Sequence, residues 1–209
     1  MDTKEGSKIL ELLKEMHPNA GCELHFGSVF ELLVAVMLSA QCTDKRVNMI
    51  TDELFKVYNT PEQFASLTLD ELKPYIFSCG FFNNKGKNII ETSKTLVEKY
   101  GGKVPSEFDE LVALPGVGRK TASVVTCVGF DEPAMPVDTH VFRVARRLGL
   151  SDGNTPEKVE SDLKKIFPKE EWNAAHHTMI FHGRYVCDSR KPKCGECLLK
   201  SVCRYEKNI

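Results

Sequence analysis

No stretch of this sequence is long and apolar enough to span a membrane. Its longest apolar run, around Leu32–Leu38, falls far short of the roughly 20 residues a transmembrane helix needs. The N-terminus lacks the basic-then-apolar pattern of a secretory signal, and Ile9 to Met16 reads instead as an amphipathic helix. A cytoplasmic, nucleoid-associated protein with no targeting segment and no membrane partner is therefore expected. Strand signals are nearly absent, and there is neither a repeat period nor a low-complexity linker, which excludes sheet-based and solenoid architectures. An excess of one charge is missing too: the formal net charge over 209 residues is -1. Distribution says more than the sum. From residue 184 to 209 there are seven Lys/Arg (184, 190, 191, 193, 200, 204, 207) against three acids (188, 196, 206). The segment around Lys85, Lys87 and Lys94 is also basic. Such patches suit a polyanionic partner, although a solvated lysine-rich face explains each one taken alone.

Helix signals repeat from end to end. Ile9, Leu12, Leu13 and Met16 mark one helical face, and Ser28-x-x-Glu31 forms a capping box before a helix that is apolar all round and must be buried. Thr43 or Asp44, Thr60 (with Pro61 and Gln63) and Thr68 (with Glu71) start further helices. A helix through Ile89, Ile90, Leu96, Val97 and Tyr100 stops at Gly101-Gly102. Ser106 opens one through Leu111 and Val112, and another runs from Arg119 to about Val128. Asp138 or Thr139 caps a helix ending at Gly149, and Thr155-Pro156 and the Glu170–Trp172 region begin the last two. The pattern predicts an all-α chain of short helices joined by short loops.

Eight cysteines divide into two sets. Cys187, Cys194, Cys197 and Cys203 lie within seventeen residues at the spacing C-x6-C-x2-C-x5-C. Four thiolates from so short a loop can ligate one tetrahedral metal or one iron–sulfur cluster, which a chain expected to be cytoplasmic favours over the two local disulfides that could also use them. Cys22, Cys42, Cys79 and Cys127 are scattered and read as free thiols.

Leu114–Lys120, LPGVGRK, reads as the hairpin of a helix–hairpin–helix at about residues 107–128. Glycines permit positive φ and leave no side chain between backbone and anion, so the N–H groups of Gly116 and Gly118 and the following helix N-terminus can hold a phosphate. The simpler alternative is an αα-turn that needs Gly for geometry. Lys120 falls in the first turn of that helix, where the positive end of the dipole disfavours an ammonium; partial burial would act in the same direction. A lysine that can be neutral is a nucleophile for carbon, although local sequence alone suits a phosphate contact as well. Asp138, in VDTH at 137–140, reads first as an N-cap. His140, His176, His177 and His182 read as packed or hydrogen-bonded histidines and Trp172 as core.

Taken together, LPGVGRK at 114–120, VDTH at 137–140, LSAQCTD at 38–44, HGRYVC at 182–187 and the terminal cysteine spacing resemble the endonuclease III family of DNA glycosylases, over essentially the whole chain. The resemblance implies an all-α fold of two lobes with DNA in the cleft between them. Residues 22–132 would form a six-helix barrel carrying the helix–hairpin–helix, and residues 1–21 with 133–209 a lobe holding a [4Fe–4S] cluster on Cys187, Cys194, Cys197 and Cys203. It implies a monomeric glycosylase and apurinic/apyrimidinic lyase acting on oxidised or ring-saturated pyrimidines flipped out of damaged duplex DNA. Lys120 would attack C1′ with Asp138 assisting, and Gly116, Val117, Gly118 and Arg119 would hold the backbone. Gln41 would fill the space left by the flipped base, Phe81 would act as a wedge, and Arg190, Lys191 and Lys193 would meet phosphates. Two residues depart from the family pattern: Phe81 stands where relatives carry an aliphatic side chain, and Cys42 where Thr or Ala is usual.

Overall fold

A computed structural model describes residues 3–205 of the chain; Glu206 and Lys207, counted in the C-terminal charge balance, lie outside them. No β-strand occurs among the described residues, and no helix among them is long and apolar enough to cross a membrane. The chain divides into two compact units, one made of the residues up to Cys22 together with those from Glu132 onward, the other of Glu23–Asp131.

The second unit contains α2 (Val29–Ser39), α3 (Asp44–Leu54), α4 (Pro61–Ser66), α5 (Leu69–Ile76), α6 (Phe82–Tyr100), α7 (Phe108–Val112) and α8 (Arg119–Val124). As its composition requires, α2 is buried from Leu32 to Leu38. Ser28 caps it by accepting the Glu31 N–H, but the Glu31 carboxylate reaches back to the N–H of Gly27, one residue short of a capping box. Thr60–Gln63 and Thr68–Glu71 do form reciprocal boxes, and Thr43 rather than Asp44 caps α3. Ser106 does not cap α7; Glu107 holds that place without a side-chain bond. α8 ends at Val124 and widens into a π turn over Val125–Gly129, which packs on α2 and buries Val125 and Cys127.

The first unit contains α1 (Thr3–Met16), α9 (Thr139–Leu148), α10 (Pro156–Ile166) and α11 (Trp172–Tyr185). Its core gathers Ile9, Leu10 and Leu13 from α1, Val141, Val144 and Leu148 from α9, Val159 and Leu163 from α10, and Ala175 and Met179 from α11. Asp138 caps α9, and Gly149, at φ 78, ends it in the left-handed region that glycine occupies without strain. Trp172 closes one side of this core, its Nε1–H donating to Phe167 O at 3.0 Å.

Candidate active site and nucleic-acid interface

The hairpin at 113–118 is built from the inside outward. Leu114 and Val117 are buried, and Val117 N–H donates to Leu114 O at 3.1 Å, closing a tight turn. From α6, Thr92 Oγ1 donates to Pro115 O at 2.6 Å. Gly116 has φ 73, and a Cβ there would fall 2.6 Å from Asn88 Cβ, so both backbone and space demand glycine. Gly118 is different. Its φ of -85 is open to any residue, so positive φ is not why it is glycine; a Cβ there would meet nothing within 4 Å and would occupy open space in front of α8. Among the described residues neither Gly116 N–H nor Gly118 N–H donates to another group, and α8 begins without a side-chain cap. The Gly116 and Gly118 N–H groups are thus uncommitted, and at Gly118 no neighbouring side chain fills the space in front of α8, an arrangement that suits a bound phosphate.

Lys120 follows on the first turn of α8 and is exposed, so the expected partial burial is not found in this chain alone. Arg119 is also exposed, with its guanidinium 5.0 Å from the Phe108 ring centre. In the other unit, Asp138 is half-buried. Its Oδ1 accepts from both His140 N–H and Val141 N–H at 2.8 Å, which leaves Oδ2 outside the cap. His140 Nδ1 is paired with Arg143 Nη2 at 3.2 Å, and His176 Nδ1 with Pro136 O at 2.8 Å.

Gln41 and Phe81 share an unusual backbone. Among the described residues three non-glycines have positive φ: Gln41 (φ 55), Phe81 (φ 48) and Asp131 (φ 54). A bulky side chain in that region is unfavourable by about 1–3 kcal/mol and persists only where its surroundings impose it. Phe81 is 66% exposed, so packing of its ring does not provide the compensation. Phe77, 63% exposed, lies in the 3-10 turn just before it, with its ring 5.0 Å from that of Phe82.

The four C-terminal cysteines come together. Cys187, Cys194, Cys197 and Cys203 line one pocket with Leu148, His182 and Val186. All eight cysteines are free thiols, so the disulfide alternative is not realised. Among the described residues no three His, Cys, Asp or Glu side chains meet closely enough to hold a single metal ion; the thiols stand around the cavity instead. Burial raises the Cys197 thiol above its ordinary value, the Leu199 N–H opposes this, and the nearby Cys187, Cys203 and Cys194 raise it further. Next to Cys197, His182 is driven down to about 4 by burial and then by His17, so it is neutral at pH 7.

Two arginines of α9, which the sequence patterns did not single out, hold the loop that carries Cys187. Arg147 Nη1 lies 3.3 Å from Cys187 Sγ and donates to Asp188 O at 2.7 Å, while Nη2 donates to Ser189 O at 2.9 Å. Arg143 Nε donates to Cys187 O at 3.2 Å and Nη2 to Gly183 O at 2.8 Å. Their i, i+4 spacing, one turn beyond the Asp138 cap, is the signal that could have revealed them. Beyond Cys187, the Arg190 and Lys191 N–H groups fold onto Asp188 Oδ1 at 2.8 and 3.1 Å, holding that carboxyl below its usual range and leaving Arg190, Lys191 and Lys193 exposed.

Known proteins match this arrangement closely. The family described as HhH-GPD superfamily base excision DNA repair protein matches residues 34–169. Endonuclease III of Haemophilus influenzae is 47% identical over 209 residues, covering 100% of this chain and 99% of that protein. Endonuclease III of Bacillus subtilis is 49% identical over 205 residues, covering 98% and 94%. The solved structure of a trapped endonuclease III–DNA covalent intermediate, an estranged-adenine complex, matches with a TM-score of 0.95 at 47% identity, covering 100% of this chain and 98% of that one. Identity at this level along the full length of both partners leaves one assignment: the chain belongs to the endonuclease III family of DNA glycosylases and AP lyases, within the HhH-GPD superfamily of base excision repair proteins.

Proposed function

We propose that this glycosylase excises oxidised or ring-saturated pyrimidines from damaged double-stranded DNA and then cuts the strand, with Lys120 as the nucleophile. The observation that carries the reading is the position of Lys120, exposed on the first turn of α8 directly behind a hairpin in which the Gly116 and Gly118 N–H groups are uncommitted. In a relative of the same fold a covalent protein–DNA intermediate has been trapped, which supports a nucleophile of this kind here.

In this reading Gly116, Val117, Gly118 and Arg119 hold a backbone phosphate beside the lesion, and the damaged nucleotide is flipped from the stack. The Lys120 amine bonds to C1′, the C1′–N bond to the base breaks, and the base leaves with the bonding pair and takes up a proton. Asp138 accepts the proton that the Lys120 nitrogen sheds once it has bonded to C1′, and its charge stabilises the cationic sugar. The nitrogen lone pair then expels O4′, which leaves with the C1′–O4′ pair and takes up a proton, giving a protonated imine. Loss of a C2′ proton forms the C2′–C3′ double bond and expels the 3′ phosphate by β-elimination, and water releases Lys120. The protein would act as a monomer in the cytoplasm, on the nucleoid.

Gln41 would enter the gap left by the base, and Phe81 would wedge beside it. Unstacking costs a few kcal/mol per step, offset by contacts to the bent duplex. A strained, exposed phenylalanine suits that use, and Phe81→Ala should slow lesion excision about tenfold while leaving nonspecific DNA affinity nearly unchanged. Equal single-turnover rates on duplex lesions would remove the wedge role.

Cys187, Cys194, Cys197 and Cys203 would hold a [4Fe–4S] cluster, since thiols that ring a cavity suit a multi-iron centre better than one ion. When bound, the cluster would tie the loop at 187–203 together so that Arg190, Lys191 and Lys193 present to phosphates. Cys197→Ser should lose the yellow-brown colour of thiolate-bound iron together with soluble yield. Cys22→Ser should lose neither. Full iron content in a protein lacking all four cysteines would overturn the assignment.

A panel of duplex oligonucleotides tests the whole reading. 5,6-Dihydrothymine and thymine glycol should be released and the strand cut on the 3′ side, with little action on a normal pyrimidine. Release of mismatched adenine alone, without strand cleavage, would replace it with a monofunctional mismatch reading.

A further inference from the structure

Lys85 is buried in the first turn of α6, 8% exposed, and among the described residues it forms no ion pair. A buried ammonium is unfavourable unless its N–H groups are satisfied. Here Nζ donates to two main-chain oxygens, Leu38 O and Cys79 O, both at 2.9 Å. Leu38 lies in the last turn of α2, where unpaired carbonyls carry the negative end of the helix dipole. Cys79 closes the 3-10 turn Phe77–Cys79. The Lys85 N–H also donates to Phe81 O at 3.1 Å. Each carbonyl is followed at once by one of the strained residues: Gln41 stands three positions after Leu38, and Phe81 two positions after Cys79.

We infer that Lys85 is a positioning residue: its ammonium clamps the end of α2 to the turn before α6, setting the register in which Gln41 and Phe81 enter the duplex together. The inference rests on the insertion of those two side chains proposed above. Because Nζ is buried against carbonyls it does not meet DNA itself, and its effect passes through the two loops. An apolar side chain of similar length would fill the same space but leave both carbonyls without a donor, and each loop could then drift away from its strained conformation.

A mutant cycle separates this role from general stability. Single-turnover excision from a duplex carrying one dihydrothymine is measured for the wild type, Lys85→Met, Gln41→Ala/Phe81→Ala, and the triple variant. A 2-aminopurine next to the lesion reports unstacking, and circular dichroism confirms folding at the assay temperature. Lys85→Met should slow excision about ten- to a hundredfold and remove the 2-aminopurine rise, the scale of effect expected from misplacement by about an ångström. In the Gln41→Ala/Phe81→Ala background the same change should cost less than about twofold, because its route of action is already gone. Lys85→Arg, which keeps charge and donors, should recover most of the rate. Lys85→Gln, able to serve one carbonyl, should fall between and covers the case in which the Met variant does not fold. An equal loss from Lys85→Met in both backgrounds overturns the inference, as does a wild-type rate and fluorescence rise in Lys85→Met. Wild-type activity in Gln41→Ala/Phe81→Ala is a distinct result: it removes the insertion reading, and this inference with it.

Discussion

Lys120→Gln should bind lesion-containing duplex with near-normal affinity, yet form no borohydride-trappable adduct and cut no strand, a fall of at least about three orders of magnitude in single-turnover rate. Glutamine keeps most of the length and polarity of the side chain but offers an amide nitrogen whose lone pair is delocalised. Lys120 is exposed, so the change leaves no cavity and no buried unpaired group, and stability should move by no more than about 0.5 kcal/mol. Loss of chemistry without loss of fold or binding is the signature of a nucleophile. A phosphate-contacting lysine would behave differently: its removal would weaken binding and flatten the salt dependence while leaving the bound complex reactive. Following base release and strand cleavage separately sharpens the result, since both steps pass through the same nitrogen. An adduct trapped with Lys120→Gln would move the nucleophile to another amine.

What the sequence made legible was local. Thr60, Thr68 and Thr155 cap the helices they precede because a cap needs only its own side chain and N–H groups within three residues. The Gly-Gly stop after Tyr100 and the apolar α2 were readable for the same reason, and the cysteine quartet converges because seventeen residues give it little freedom. Where neighbours from elsewhere in the chain decide, the patterns failed. The helix beginning at Arg119 became a π turn against α2. Gly116 is constrained by Asn88, 28 positions earlier in the sequence, a contact that nothing in LPGVGRK reveals. Lys85 looked like part of a basic surface patch. It is buried because two chain segments end their carbonyls at one point, and only tertiary structure brings them there. Arg143 and Arg147 were hidden likewise, since their partners are main-chain oxygens that every sequence possesses.

Asp138 is the residue at which local and functional readings compete, and two substitutions separate them. The carboxylate caps α9 through one oxygen, Oδ1, at 2.8 Å from both His140 N and Val141 N. Asparagine can present the same oxygen and ranks with aspartate as a cap, so Asp138→Asn should lose only the charge–dipole contribution of about 0.3–1 kcal/mol. Alanine presents no oxygen, and Asp138→Ala should lower stability by about 0.5–2 kcal/mol. If the carboxylate also takes a proton from the attacking lysine and stabilises the cationic sugar, both variants lose that charge. Both should then slow the chemical step by about two to three orders of magnitude, a range spanning general-base and electrostatic contributions. Stability and rate should therefore come apart in the Asn protein: a near-normal melting temperature, normal binding of lesion DNA, and an adduct that forms slowly under borohydride. A cap acting alone gives the opposite pattern, with Asp138→Asn at full speed and Asp138→Ala impaired only as its melting point approaches the assay temperature. Single-turnover rates measured well below both melting points decide between them, because the cap contribution is then silent and only the charge is left to act.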